Sequence, residues 1–283
     1  MEGCRKINTV MRKLIILAAL VCMAACSPKT FTVVQIADAQ LGFDAAIKGQ
    51  APGAEYVNDL TYESNLLVQA VDYVNELNPD VVVFTGDQIN LPENEEQWDT
   101  FNDIISNIND NILVLHLPGN HDVYHVKGGI DLTPFSSRYG EDRFVYHHDN
   151  VCLIGLNSNY IKYNDPREED QCKWLEETLA QLEKGTVIMI FCHHSFFLTD
   201  IEEGDSYFPI QKDKRKRYFD LFAQYGVQAV YAGHLHNNAE GEYNGVRMMT
   251  STASAYQLGE AQPSVRVIVV EDGAILEDEM HAF

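Results

Sequence analysis

Positive charge is scarce in this 283-residue sequence: 20 Lys and Arg stand against 42 Asp and Glu, a formal net charge of −22. Residues 1–26 hold Arg5, Lys6, Arg12 and Lys13 against Glu2, so the remainder alone carries −25. Such a surface repels polyanions and excludes nucleic acid as a partner held by bulk attraction. It also repels phosphorylated ligands at long range, so a site for one needs a local positive centre, which bound metal ions supply. Cysteine is equally sparse. Past Cys26 only Cys152, Cys172 and Cys192 remain, an odd number with two in apolar strand-like runs, so buried packing is expected and a disulfide framework is not. Also missing are the H-E-x-x-H helix of many metallopeptidases, the G-x-S-x-G elbow of serine hydrolases and the G-x-x-x-x-G-K-[ST] phosphate loop of nucleotide-driven motors.

Long apolar runs are confined to residues 14–25, which follow Arg12 and Lys13 and are too short for an ordinary membrane span. The run reads as a signal segment. Ala24 and Ala25 lead into Cys26 in a pattern that resembles the bacterial lipobox, with Met23 an imperfect member, so Cys26 is the expected lipidation site and residues 1–26 the expected signal peptide. A compact signal starts at Met11, which makes residues 1–10 an over-extended start. Export and lipid anchoring to a bacterial cell envelope, in the periplasm or at the outer surface, follow as expectations.

No internal repeat, low-complexity tract or Pro-rich linker interrupts what comes next, so residues 30–283 are expected to form one domain. Residues 31–37 form a short apolar run ending at Asp38, and residues 81–85 another ending at Gly86-Asp87. Between them Leu66, Leu67, Ala70, Val71, Val74 and Leu77 recur at helical spacing, closed by Asn78-Pro79, which predicts a parallel strand, helix, strand unit. The pattern continues: a helix over 98–108, strands over 112–117 and 151–156, a helix over 168–182, a strand over 187–192, a helix over 214–225 and a strand over 227–232. Each strand delivers polar residues at its C-terminal end, where open α/β sheets build their sites. Residues 242–251, turning at Asn244-Gly245, then 265–270 and 274–281, read as antiparallel β-structure. Residues 45–58 read as a long loop beside the first motif.

Five strand ends combine oxygen and imidazole donors: Asp38-Ala39-Gln40, Gly86-Asp87-Gln88-Ile89-Asn90, Gly119-Asn120-His121-Asp122, His193-His194 and Gly233-His234-Leu235-His236. Mixed carboxylate, amide and imidazole donors suit divalent first-row metals. The order D-x-[HQ], GDxx[ND], GNHD, H and GHxH resembles the calcineurin-like metallophosphoesterases. Gln40, Leu41-Gly42-Phe43, Gly155-Leu156-Asn157-Ser158 and the 217–232 approach to Gly233-His234 resemble the calcineurin-like phosphoesterase domain-containing subgroup, whose eukaryotic members are described as serine/threonine protein phosphatases.

The resemblance implies an α/β fold, a four-layer α-β-β-α sandwich of two mixed β-sheets flanked by helices. It implies two divalent metal ions, Mn, Fe or Zn, one held by Asp38, Gln40, Asp87 and His236 and the other by Asp87, Asn120, His193 and His234, with Asp87 bridging. It implies hydrolysis of phosphate monoesters by attack of a metal-bound hydroxide, with phosphodiester cleavage on the same site as the alternative; a non-catalytic metal-binding lipoprotein is a third reading. His121 would contact the phosphoryl group or protonate the leaving oxygen, with Asn120 and His194 as further substrate contacts. The partner is a phosphorylated substrate, either a small molecule or a phosphoprotein.

Two other features stay open between site and scaffold. Lys212, Lys214, Arg215, Lys216 and Arg217 form the only dense basic run, either a phosphate contact at the cleft rim or an exposed helix face. Tyr207-Phe208 and Phe196-Phe197 are either an aromatic wall or core. Asn90 stands where relatives that pair a catalytic histidine with a carboxylate have aspartate, so it is a candidate for tuning His121. Gln40 stands where most of the superfamily has histidine, and an amide oxygen is a harder ligand than imidazole. Gln40→His is therefore expected to strengthen metal binding and shift preference from Mn or Mg toward Zn, read by competitive metal titration; unchanged affinity and preference would refute this.

Overall fold

The computed structural model describes residues 30–283. The signal-peptide and lipidation expectations at residues 1–26 and Cys26 lie outside the described residues.

The apolar runs become strands whose two faces serve different layers. One sheet has the order β13-β12-β1-β2-β3, with β1 Thr30–Ile36, β2 Val81–Phe84, β3 Leu113–His116, β12 Ser264–Glu271 and β13 Ala274–Ala282. β2 pairs in parallel with both β1 and β3, and β12 pairs antiparallel with β13. Strand side chains alternate between faces. Val34, Ile36, Val82 and Phe84 meet helices α2 Thr61–Leu77 and α3 Glu95–Ile105 through Leu67, Ala70, Val71, Val74, Trp98 and Phe101. Their neighbours Val33, Val81 and Val83 face the other way, into a core shared with the second sheet.

That second sheet runs β10-β11-β9-β8-β7-β6, with β6 Phe144–His148, β7 Val151–Gly155, β8 Val187–Phe191, β9 Val227–Ala232, β10 Ala239–Tyr243 and β11 Val246–Thr250. Val151, Leu153, Val187, Met189, Ala229 and Tyr231 complete the shared core. Cys152, Ile154, Ile188 and Ile190 pack outward on α6 Glu168–Leu179 and α7 Lys212–Tyr225. The layers are thus helix, sheet, sheet, helix. Residues 31–283 form one compact unit. Cys152, Cys172 and Cys192 are free and buried, as expected.

Two expectations need correction. Residues 45–58 do not begin as loop: α1 Phe43–Gly49 occupies the start, entered through Gly42 at φ 93 and braced by a Lys48–Asp44 ion pair of 2.5 Å. The hairpin at Asn244-Gly245 forms, but β11 pairs in parallel with β9, so the C-terminal part is not purely antiparallel. The short pair β4 Tyr124–Val126 and β5 Gly129–Asp131, and helices α4 Thr133–Tyr139 and α5 Ser158–Lys162, went unread because each is too short to show a period. Among the described residues no helix is long and apolar enough to cross a membrane.

Candidate metal centre

The parallel strands β1, β2, β3, β8 and β9 carry their C-terminal ends to one edge, and the five sequence motifs meet there. Nε2 of His193 lies 3.0 Å from Asn120 Oδ1, 3.2 Å from His234 Nδ1 and 3.3 Å from Asp87 Oδ2. Nε2 of His236 lies 3.5 Å from Asp38 Oδ1, and Asp38, Asp87 and His193 offer donor atoms within 4.8 Å of one another. All seven residues named as ligands are buried, whereas His121 is half-exposed.

The backbone turns hard to achieve this. Asp38, Gln40, Asp87, His234 and His236 have φ between 38° and 67°, in the left-handed region. Among the described residues every other non-glycine residue there is Asn or Asp, Asn78 at a helix C-cap and the rest in turns, so Gln40, His234 and His236 are conformational outliers found at the site. The neighbouring glycines are sterically required. A Cβ on Gly86 would stand 2.5 Å from the Gly119 nitrogen, one on Gly119 would overlap the Asp87 carboxylate, and one on Gly233 would overlap that of Asp38.

Hydrogen bonds lock the loops together. The His234 N–H donates to both oxygens of Asp38, at 3.1 and 2.9 Å, and the His121 N–H donates to Asp87 Oδ1 at 2.8 Å. Asp122, the last residue of GNHD, accepts from Gly119 N at 2.7 Å and from Gln88 N at 2.9 Å. Backbone carbonyls set the rings. Nδ1 of His193 faces Thr85 O at 2.9 Å, Nδ1 of His236 faces Tyr256 O at 2.5 Å, and Nδ1 of His121 faces Asn90 O at 2.8 Å. A carbonyl only accepts, so each Nδ1 carries a proton and each Nε2 is left as the position for a metal or a second proton.

The Asn90 reading changes in kind. Its main-chain carbonyl, not its side chain, holds His121; the side-chain oxygen accepts from Gln40 Nε2 at 3.3 Å. That bond leaves Gln40 Oε1 buried without a partner. An unsatisfied buried acceptor costs roughly 1–3 kcal/mol, a cost a coordinated cation removes, so the residues present fit a metal.

Charge is arranged to match. Burial opposes ionisation of Asp87, yet the imidazoles of His193 and His121 hold its carboxyl well below the usual range. Burial pulls His193 down, but Asp87 and Asp38 more than offset this and push it up to about 9. His234 is held well below its ordinary value by burial and by His193, and so carries a free lone pair. The proton on His193 sits where a cation between it and Asp87 would displace it.

His194 is fully buried, with Nδ1 3.1 Å from Ser158 Oγ and its ring 4.5 Å from that of His234. It therefore stands beside His234 and not at a solvent-facing position. Ser158 Oγ also accepts from the N–H groups of His193 and His194, a link that nothing but the quoted Gly155-Leu156-Asn157-Ser158 motif foreshadowed. The aromatic pairs split: Phe196 and Phe197 are core, while Tyr207 and Phe208 lie 5.4 and 5.6 Å from the His234 ring. The basic run is mostly an exposed helix face: Lys212, Lys216 and Arg217 are exposed. Lys214 and Arg217 pair with Glu168 and Glu169 of α6, Lys212 and Lys216 pair with Glu202, and Arg215 is fully buried.

The calcineurin-like phosphoesterase family model matches residues 31–238. The serine/threonine-protein phosphatase CPPED1 of Bos taurus is 32% identical over 254 residues, covering 85% of this chain and 80% of its own. The purple acid phosphatase PPD1 from yellow lupin seeds superposes with a TM-score of 0.63 at 14% identity, over 89% of this chain and 53% of that one. A dimetal phosphatase from Danio rerio superposes with a TM-score of 0.60 at 16% identity, over 89% of this chain and 99% of that one.

Because the Asn90 side chain meets Gln40 and not His121, Asn90→Asp is expected to raise metal affinity by adding a charge beside Gln40. The limb of the rate–pH profile that depends on His121 should stay in place. A shifted limb with unchanged metal affinity would show that the side chain acts on His121 after all.

Proposed function

The chain belongs to the calcineurin-like phosphoesterase family and is a metal-dependent phosphoric ester hydrolase; on that premise we propose that it cleaves phosphate monoesters at a centre of two divalent ions. Asp38, Gln40, Asp87 and His236 hold one ion, and Asp87, Asn120, His193 and His234 hold the other. The observation that carries this reading is the convergence of Asn120 Oδ1, His234 Nδ1 and Asp87 Oδ2 on His193 Nε2 at 3.0–3.3 Å. For metal–ligand distances of about 2.1 Å, adjacent ligand atoms stand roughly 3.0–3.4 Å apart, so the spacing suits a shared cation. The mixed oxygen and nitrogen set favours Mn, Fe or Zn.

When bound, the ions supply Lewis acidity toward the phosphoryl oxygens and toward an attacking water. The chain's own residues do the rest. Asp87 fixes the His121 backbone through the 2.8 Å bond to its N–H, which ties the position of the ring to the bridging carboxylate. With Nδ1 committed to Asn90 O, His121 has only Nε2 free, and there it holds or transfers a proton at the leaving oxygen. The buried ligands and half-exposed His121 put the open face of the site on the His121 side.

The Bos taurus relative's name supports the monoester over the diester. The substrate class favoured here is a small phosphorylated molecule, because the proposed export with a lipid on Cys26 would bring the enzyme among envelope metabolites. Cys26→Ala should abolish incorporation of a labelled fatty acid and release the protein from membranes; continued labelling would defeat the anchor.

The catalytic reading is tested by phosphate or alcohol release from an aryl monoester and an aryl diester, with Mn added or chelated. We expect metal-dependent turnover, faster on the monoester. His121→Ala should lower kcat about 10²- to 10⁴-fold while metal binding persists. No turnover of either ester with metal bound would leave a metal-binding protein without catalysis.

A further inference from the structure

Between β8 and α7, residues 199–211 place a large ring beside the metal centre. Tyr207 is 65% exposed, with its ring 5.4 Å from His234 and 5.2 Å from Phe208. So much exposure means that burial of apolar surface does little to hold the ring there. The backbone beneath it is nonetheless tightly fixed. The Lys162 ammonium, on a residue only 8% exposed, donates to Tyr207 O and Pro209 O, each at 2.6 Å, and Gln211 Nε2 returns a 2.8 Å bond to Lys162 O. Arg215, with no exposed surface, donates from Nε to Ile210 O at 2.8 Å and from Nη1 to Glu203 O at 2.7 Å. The Glu203 carboxylate closes the start of the segment by accepting from Leu198 N at 2.8 Å and Thr199 N at 3.1 Å.

A buried ammonium satisfied by carbonyls alone is a costly device. Burial and the nearby Arg215 accordingly push Lys162 down to about 8. The result is a surface ring whose backbone anchor is settled before any ligand arrives, so a flat group stacking on it need order only the two side-chain torsions of Tyr207. The ring also lies against His234, one of the residues assigned to the metal centre, within reach of the organic part of an ester whose phosphoryl group is held there.

We infer that Tyr207, edged by Phe208, is a specificity-determining platform that stacks an aromatic or otherwise planar group of the phosphate ester, with Lys162 and Arg215 as its positioning residues. The inference rests on the phosphoesterase reading for the phosphoryl end of the substrate. It predicts selectivity against short alkyl esters, which have no face to present to the ring.

The test is binding of phenylphosphonate and methylphosphonate, neither of which is hydrolysed, to the Mn-loaded protein by calorimetry, beside turnover of phenyl phosphate. We expect phenylphosphonate to bind about tenfold tighter, as an aromatic stacking contact allows. Tyr207→Ala should erase that ratio, Tyr207→Phe and Tyr207→Trp should keep it, and Lys162→Met should lower it. Equal affinity of the two phosphonates for the unaltered protein, or equal weakening of both by Tyr207→Ala, would overturn the platform. Phenylphosphonate selectivity without turnover of phenyl phosphate would sink the hydrolase reading and leave the platform standing; turnover without selectivity would sink the platform alone.

Discussion

The structure turns on the bond between the His234 amide and the Asp38 carboxylate, because it joins the end of β1 in one sheet to the end of β9 in the other. The His193 Nδ1 bond to Thr85 O makes the same crossing between β8 and β2. Two sheets packed through an apolar core can slide, since dispersion contacts are not directional. Directional bonds at one edge remove that freedom. They are made by residues assigned to the metals, so the register of the sandwich and the geometry of the site are a single constraint. Left-handed backbone at Asp38, Gln40, Asp87, His234 and His236 stores about 1–3 kcal/mol at each position, and the surrounding hydrogen bonds offset it.

That constraint also explains how an acidic chain tolerates buried carboxylates at the centre of its site. Asp38 and Asp87 accept hydrogen bonds from backbone N–H groups and face the His193 imidazole, which they push toward its charged form. The main-chain carbonyls of Thr85, Tyr256 and Asn90 turn three imidazoles with Nε2 forward. His234 is reversed, with Nδ1 toward His193 and Nε2 without a hydrogen-bond partner. Carbonyls hold these rings without adding charge, so the net charge of the site is left to its ligands.

Much of this was legible in the sequence, because buried parallel strands read as continuous apolar runs and each ended in a motif of metal-donor type. Alternation within those runs, such as Val33 against Val34, even encoded which layer each side chain would face. What could not be read was carried by main chain or by side chains distant in sequence. Asn90 suggested a side-chain partner for His121, but the carbonyl that does the holding is the same in every residue. Ser158 reaches His193 and His194 across 35 and 36 positions, and no local pattern registers such a bond. The parallel placement of β11 was hidden because the Asn244-Gly245 turn specifies only its antiparallel partner β10.

The basic run divides its work: Lys212, Lys216 and Arg217 lie on an exposed helix face, whereas Arg215 is buried. On α7 successive residues point in different directions, 100° apart, so five cations within six positions cannot share one task. Lys214 and Arg217 reach α6, Lys212 and Lys216 reach Glu202, and Arg215 turns inward to carbonyls of the preceding segment. Lys162 arrives at the same segment from α5 on the other side. Lys162, Lys212 and Arg215 thus hold one stretch of backbone beside the metal-site residues, while Lys214 and Arg217 tie α7 to α6.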